Sequence, residues 1–345
     1  MGADLAVNVF SFKNSKKDLY KDIDIAKEAH CRYCIDDSFT AFNSINNILY
    51  LIYANINKTI ICFDITNNKK ISEIKNAHNE YISSFRHYLD KNNKIDLVIS
   101  ISRDDNNIKL WNINNLDCLL DLKNVNNIGY INSACLLNDD NQIYIVSSNY
   151  NFGGDSEAIK IFDTKGKIIK EMNDSANKDN PQYIDIYYDN ESAKKFILVA
   201  NRENIRSYDY DINQLYHLYD DNCYFSHTNI KMHKKEKITR LIESSEDGFL
   251  RIWNFHTGDL INKINIGQVI YCMCLWNDNY LLATIHNNFI KVIDLNTNTI
   301  FNSIFYGLDT LLSMKKIIHP IYGECLLTQG YSRYYDNGIK LWEKE

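Results

Sequence analysis

The stretch from Ser244 to Asn254 reads SSEDGFLRIWN, and it joins a polar turn to a strand that is apolar on both faces. The turn, Glu246 to Gly248, contains the acidic residue and the glycine that tight turns favour. Along the strand, Phe249 to Trp253, side chains alternate between two faces, and every residue except Arg251 is apolar. This pattern predicts a strand that is buried on both faces, in a sheet that packs between neighbouring sheets.

The same pattern recurs along the chain in degenerate form, for example as NIKLWN at Asn107 to Asn112 and as GIKLWE at Gly338 to Glu343. Each copy has a large apolar residue one position before its polar end, and these residues are Phe63, Trp111, Phe162, Tyr208, Trp253, Ile293 and Trp342. The intervals between them are 48, 51, 46, 45, 40 and 49 residues. A period of this length is typical of one four-stranded blade of a β-propeller.

These repeats resemble those of the WD-repeat β-propeller family, which end in a Trp-Asp pair after an Asp-containing turn and a strand like IKLW. The resemblance covers the chain from Leu5 to Trp342, although no repeat has the literal Trp-Asp pair. It implies an all-β fold of seven four-stranded antiparallel blades in one domain, residues 1–345. The third strands are then expected to end near residues 64, 112, 163, 209, 254, 294 and 343.

The two ends of the chain complement each other in this scheme. A short alternating strand, Leu5 to Phe10, precedes the first full repeat, whereas the last repeat stops three residues after Trp342. We therefore expect a closing segment, residues 5–12, to supply the outer strand of the last blade and so remove an exposed sheet edge. Residues 14–37 form an irregular lead-in to the first blade.

This lead-in contains a Cys-x-x-Cys pair, Cys31 and Cys34. Such a pair can bind zinc, but a structural zinc site needs four ligands, and no second pair follows at a suitable spacing. We interpret the two residues as reduced thiols near the start of a strand, and we expect neither a metal nor a cofactor.

The family to which the repeats are similar has a buried chain of hydrogen bonds through a His, a Ser, an Asp and the Trp of a repeat. The matching residues in the second repeat are His78, Ser100 or Ser102, Asp104 or Asp105, and Trp111. The fifth repeat keeps Ser245, Asp247 and Trp253 but offers no convincing histidine. We assign these residues a structural role rather than a catalytic one, because buried polar groups inside a blade must satisfy one another.

The turns between second and third strands emerge at the same end of a propeller as the loops that join consecutive blades. The residues of this candidate partner-binding face are Arg103, Phe152, Arg202, Glu246, His286, Arg333, Tyr334 and Tyr335. Arginine and aromatic residues are enriched at interaction hot spots, and arginine binds carboxylates. We expect a protein or peptide with acidic groups to bind here; the alternative is that these are unrelated turn residues on an ordinary surface.

Composition narrows the class of protein. The chain is 45% hydrophobic and 24% charged, and its net charge of −6 disfavours a general nucleic-acid binder or a ligand of anionic membranes. No apolar run approaches the roughly 18 residues of a membrane-spanning helix. The N-terminal sequence has no basic region before its apolar stretch, so we expect no secretory signal and an intracellular, cytoplasmic protein with reduced cysteines.

Three functions stay under consideration. We favour a non-catalytic scaffold for protein partners, because the sequence pairs no nucleophile with a base and has no cofactor-binding loop. One alternative is a phosphoinositide-binding propeller, although the Phe-Arg-Arg-Gly stretch of that family has only Phe85 to Tyr88 as a counterpart. The other is an enzyme with its site at the channel mouth, for which Asp155, His286 and Asp336 are the candidates.

Overall fold

The computed structural model describes residues 12–14, 37–123, 130–150, 159–172, 181–286, 289–305, 310–331 and 339–344. In these ranges the chain forms seven sheets of four antiparallel strands and no helix. The fold is an all-β, seven-bladed β-propeller, as the repeats predict. The chain divides into two compact units, residues 1–77 with 270–345, and residues 78–269.

The first unit contains blades one, six and seven. Blade one consists of β2 (Phe39–Asn43), β3 (Leu49–Ala54), β4 (Ile60–Asp64) and β5 (Lys69–Ile74). Blade six consists of β22 (Ile270–Asn277), β23 (Tyr280–Ile285), β24 (Phe289–Asp294) and β25 (Thr299–Phe305). Blade seven consists of β26 (Thr310–His319), β27 (Gly323–Tyr331), β28 (Ile339–Lys344) and the N-terminal strand β1 (Phe12–Asn14).

The second unit contains blades two to five. Blade two consists of β6 (Ile82–Asp90), β7 (Ile95–Ser102), β8 (Asn107–Asn112) and β9 (Asp117–Leu122). Blade three consists of β10 (Tyr130–Asp139), β11 (Gln142–Tyr150), β12 (Ile159–Asp163) and β13 (Ile168–Met172). Blade four consists of β14 (Tyr183–Asp189), β15 (Lys194–Ala200), β16 (Ile205–Asp209) and β17 (Gln214–Tyr219). Blade five consists of β18 (His227–Lys235), β19 (Ile238–Ser245), β20 (Phe249–Asn254) and β21 (Leu260–Asn265).

An N-terminal strand completes blade seven, as expected. Strand β1 pairs with β28 so that Phe12 lies opposite Lys344 and Asn14 opposite Trp342. The expected closing segment, residues 5–12, shares only its last residue with β1, and residues 1–11 lie outside the described residues. The part of the closing segment before Phe12 therefore stays a prediction.

The repeated segments form the third strands, and their burial explains their composition. In β20, Leu250, Ile252 and Trp253 are at most 2% exposed. Hydrophobic clusters join adjacent blades, as where Phe196 of blade four packs with Leu241 and Trp253 of blade five. Within each compact unit, adjacent blades therefore stabilise one another, as the units of repeat proteins do.

A β-bulge recurs between the third and fourth strands of blades one to six. It lies immediately before the large apolar residue of each repeat, at Phe63, Trp111, Phe162, Tyr208, Trp253 and Ile293. A bulge increases the local right-handed twist of a strand pair. In these six blades the repeat in sequence thus corresponds to a repeated local backbone geometry as well as to repeated packing.

Candidate functional site

Blade two contains a chain of buried hydrogen bonds centred on Ser100. Its Oγ lies 2.6 Å from Nε2 of His78 and accepts a hydrogen bond from Nε1 of Trp111 at 2.8 Å. Burial, together with the nearby charge of Lys109, lowers the pKa of His78 to about 3, so this imidazole is neutral. Ser100 is fully buried and bonded on both sides, which places it in the framework of the blade rather than in contact with a substrate.

The acidic residue beside His78 is Asp105 rather than Asp104. Oδ2 of Asp105 accepts a hydrogen bond from the backbone N–H of Asn79 at 3.0 Å and lies 3.9 Å from Nδ1 of His78, whereas Asp104 is exposed. The turn is one residue longer than in the family pattern, and this moves the second aspartate into the inner position. Ser102 is fully buried too, but its Oγ has no hydrogen-bond partner in the described chain.

Blade five has an ionic pair where blade two has this chain. Ser100 lies opposite Lys109 in the pairing of β7 with β8, and Glu243 lies opposite Arg251 in the pairing of β19 with β20. In both blades the tryptophan follows the basic residue by two positions. Glu243 therefore occupies the position of Ser100, and Arg251 occupies that of Lys109.

The hydrogen bond expected between Ser245 and Trp253 is absent, because Glu243 and not Ser245 occupies the position of Ser100. Ser245 stands two residues beyond the position that faces the tryptophan, and its Oγ lies 3.5 Å from Sγ of Cys223 instead. Nε1 of Trp253 has no hydrogen-bond partner among the residues that the structure describes. Blade seven keeps the simpler arrangement, since Nε1 of Trp342 donates to Oγ1 of Thr328 at 2.9 Å.

The Arg251 side chain is fully buried and lies among three carboxylates. Nε donates to Oδ2 of Asp221 at 2.7 Å, Nη2 donates to Oδ2 of Asp247 at 2.5 Å, and Nη1 lies 3.5 Å from Oε1 of Glu243. Lys263 donates to the same oxygen of Asp221 at 2.6 Å. Burial opposes the ionised form of Asp247, but the Arg251 hydrogen bonds outweigh it and lower the pKa of Asp247 to about 2.

His227 extends this network to the first strand of the blade. Its Nδ1 lies 2.8 Å from Oε2 of Glu243, and both side chains are almost completely buried. Burial disfavours the imidazolium, yet Glu243 and Cys223 outweigh that effect and raise the pKa of His227 to about 10. His227 and Glu243 therefore form a buried ion pair at neutral pH.

Cys223 occupies the place that His78 has in blade two. Ile82 pairs with Ser102 and His227 pairs with Ser245, and His78 and Cys223 each stand four residues before these first-strand positions. Sγ of Cys223 lies 3.4 Å from Oδ2 of Asp247. A histidine pattern in the sequence does not reveal this correspondence; Arg251, the one charged residue of the buried strand β20, is the signal that does.

The loop that enters blade five, Asp220–Ser226, brings two residues of the candidate face together. The backbone N–H of His227 donates to the carbonyl of Asn201 at 3.1 Å, and the N–H of Glu246 donates to that of Ser226 at 2.9 Å. Arg202 follows Asn201 in the turn of blade four, and both Arg202 and Glu246 are exposed. Both residues therefore lie beside the C-terminal end of this loop.

Two further residues of the candidate face, Arg103 and His286, lie within the described ranges. Arg103 is half-buried, with its guanidinium carbon 5.4 Å from the ring centroid of Tyr130 in blade three. His286 is exposed in the first compact unit. The residues that lie outside the described ranges are Phe152, Arg333, Tyr334, Tyr335, the enzyme candidates Asp155 and Asp336, and the cysteines Cys31 and Cys34.

The same fold is found in a solved structure. One chain of the crystal structure of BBS1N in complex with ARL6DN, soaked with mercury, is similar over 90% of this chain and 92% of its own length. The TM-score is 0.66 and the sequence identity is 11%. It is one of 1520 matching chains, so the likeness shows a widely used fold and no particular function. No protein-family model and no curated protein matches the sequence.

Arg86 is not available to bind a phosphoinositide headgroup. Its Nη1 donates to the carbonyl of Ile184 at 2.5 Å, and the guanidinium carbon lies 4.6 Å from the ring centroid of Tyr183. Oδ1 of Asp185 lies 3.6 Å away from the same nitrogen. The one cation in the Phe85 to Tyr88 segment with a constant charge is thus engaged by the first strand of blade four.

A cavity of about 230 Å³ opens at the C-terminal ends of β14 and β18, the first strands of blades four and five. Its lining residues are Tyr187, Tyr188, Asp189, Asn190, Met232, His233, Lys234 and Thr239. Pockets for small molecules usually have about 300–1,000 Å³, so this cavity is smaller than a typical ligand site. The described residues contain no cluster of three His, Cys, Asp or Glu side chains arranged to hold a metal ion, and no helix in them could span a membrane.

Proposed function

We propose that the protein is a divergent WD-repeat propeller that acts as a cytoplasmic, non-catalytic scaffold for one or more protein or peptide partners. The observation that carries this proposal is the construction of the loop Asp220–Ser226. Ion pairs and backbone hydrogen bonds fix it at both ends, while Asn222, Tyr224 and Phe225 face solvent. A loop that is already ordered loses little conformational entropy when a partner binds.

The use of the polar groups inside the blades supports the same function. Ser100 and His78 are bonded within blade two, and His227, Glu243 and Arg251 are bonded within blade five. These are the residue types that catalysis requires, but here each satisfies a buried partner. The similar solved chain comes from a complex of two proteins, which agrees with a binding role for this fold.

The test is to isolate the tagged full-length chain from its native cells under mild conditions and to analyse it by size-exclusion chromatography and mass spectrometry. We expect a defined complex in which another protein elutes with this chain at a fixed ratio. A tag-only preparation is the control. A monomer that binds no protein but turns over ester, peptide, phosphate or glycoside substrates would contradict the proposal.

A further inference from the structure

We propose that Tyr224 and Phe225, at the tip of the loop Asp220–Ser226, are the contact point for a basic, partly apolar segment of a partner protein. This inference rests on the proposed scaffold function and specifies the surface and the partner chemistry. It follows from the exposure of the two rings, the rigidity of the loop that carries them, and the charge around them.

The two aromatic side chains are far more exposed than their residue types usually are. Tyr224 is 77% exposed and Phe225 is 56% exposed, and they are adjacent in sequence. Large aromatic residues normally contribute to the core, and Phe196, Tyr219 and Phe255 in the same two blades are at most 1% exposed. Exposed aromatic residues on a protein surface are typical anchors of protein interfaces.

Bonded groups before the two rings hold the loop in place, and after the rings the carbonyl of Ser226 accepts a hydrogen bond from the N–H of Glu246. Before them, Asp221 accepts from both Arg251 and Lys263, at 2.7 and 2.6 Å. Beside them, the Cys223 side chain is buried with its Sγ 3.4 Å from Asp247. The aromatic pair is thus presented by a preorganised backbone, so most of the ordering precedes binding.

The charged residues around the loop favour a basic partner. Asp220, Glu203 and Glu246 are exposed carboxylates, and Arg202 is an exposed cation. Asp221 is neutralised by Arg251 and Lys263 and is left out of the sum. The remaining three negative charges and one positive charge give a net charge of −2. The expectation of an acidic partner came from the arginines of the candidate face; one of them, Arg202, borders this loop, but exposed carboxylates outnumber it here. Such a rim attracts lysine and arginine side chains and repels an anionic membrane surface.

The experiment is selection of a random peptide library displayed on phage against the purified full-length protein. The enriched peptides are then synthesised, and their Kd values are measured for the wild type and for the double variant Tyr224→Ala with Phe225→Ala. The matched control is Phe305→Ala with Ile321→Ala, which removes two side chains that are 64% and 66% exposed in the first compact unit.

We expect enriched peptides to combine lysine or arginine with apolar residues and to bind the Tyr224/Phe225 variant at least ~10-fold more weakly, as removal of a hot spot does. The control variant should bind them as the wild type does, and affinity should fall as salt rises. Equal Kd values for the wild type and the Tyr224/Phe225 variant, a preference for acidic peptides, or binding to anionic vesicles instead would overturn the inference. Enrichment of no peptide at all would count against the scaffold function itself.

Discussion

Nε of Arg251 donates to Asp221 at 2.7 Å, and this bond joins the third strand of blade five to the loop that precedes its first strand. Blade two makes the corresponding connection through His78, Ser100 and Trp111. Blades two and five therefore both connect the third strand to the segment before the first strand. Blade two does so with neutral groups, and blade five does so with charged groups. The ionic version also fixes the loop that carries Tyr224 and Phe225.

Replacing Arg251 with methionine should lower the free energy of unfolding by about 3–5 kcal/mol, because Glu243 and Asp247 would lose their buried counter-ion. Chemical denaturation followed by tryptophan fluorescence measures this change. Lys263→Met is the matched control, since it removes a partly exposed cation from the same Asp221. It should cost less than about 1 kcal/mol. An equal loss in both variants would contradict the role assigned to Arg251.

Ser100→Ala should lower the free energy of unfolding by about 1–3 kcal/mol, because it leaves Nε1 of Trp111 without its buried acceptor. Ser102→Ala provides the control two residues away on the same strand. The Oγ of Ser102 is buried and makes no hydrogen bond in the described chain, so its removal should be neutral or stabilising. The order of the two variants by melting temperature tests the assignment, and the reverse order would refute it.

The two buried histidines should give opposite pH dependences. The pKa of His227 rises from 6.5 to about 10 on folding, so its stabilising contribution is complete below pH 6.5 and is lost as the pH rises through 10. The pKa of His78 falls to about 3, so its contribution is complete above pH 6.5 and is lost as the pH falls toward 3. Each slope is at most about 1.4 kcal/mol per pH unit.

The free energy of unfolding measured from pH 5 to 9 tests this pair of signs. His227→Gln should flatten the decline between pH 7 and 9 and leave the acid side unchanged. His78→Gln should flatten the decline between pH 6.5 and 5 and leave the alkaline side unchanged. Slopes, rather than absolute values, are compared because either substitution also alters packing. Unchanged slopes in both variants would show that neither histidine changes its pKa on folding.

Gly248→Ala should destabilise the protein more than Gly267→Ala. Both glycines have positive φ, 81° and 86°, so both substitutions carry the conformational penalty of a left-handed residue, about 1 kcal/mol. Only at Gly248 would the added Cβ also lie 2.9 Å from the backbone N of Gln268, whereas Gly267 has open space. The difference between the melting temperatures of the two variants measures the clash at Gly248, because both variants carry the same penalty for positive φ. Equal melting temperatures would show that the turn of blade five can relax.

Deletion of residues 1–14 should lower the melting temperature sharply, because it exposes the edge of β28 that β1 covers. Deletion of residues 1–11 retains Phe12–Asn14 and is the matched control. We expect the shorter deletion to keep most of the stability. If both deletions melt alike, the pairing of Phe12 with Lys344 does not stabilise blade seven.

The blades were predictable from the sequence because the third strand is buried on both faces. That burial demands the same alternation in every repeat, and copies as different as TIICFD and GIKLWE still satisfy it at Ile60–Asp64 and Ile339–Lys344. The bounds of the N-terminal strand are harder to predict, because fourth strands such as β5 and β9 are largely exposed and need no alternating apolar pattern. Its position depends on its partner, β28, rather than on its own pattern.

The site was less predictable, since its residues are linked by register and not by sequence spacing. The sequence does not decide which of Asp104 and Asp105 lies beside His78, because both stand in the same turn. The structure shows that it is Asp105. Glu243 and Arg251 became partners only through the pairing of β19 with β20. Tyr224 and Phe225 carry no motif, and the sequence gives no sign that they are exposed or that Asp221 and Cys223 before them are bonded within blade five.

The most direct test of the account is amide hydrogen exchange across Asp220–His227 in the wild type, Arg251→Met and Lys263→Met. We predict slow exchange in the wild type at His227, whose N–H donates to the carbonyl of Asn201. The same measurement includes Glu246 outside this segment, because its N–H donates to the carbonyl of Ser226 and should also exchange slowly. Exchange of these amides should be at least ~10-fold faster in Arg251→Met and nearly unchanged in Lys263→Met, in line with the loss of one buried anchor. Equally fast exchange in all three proteins would contradict a preorganised loop.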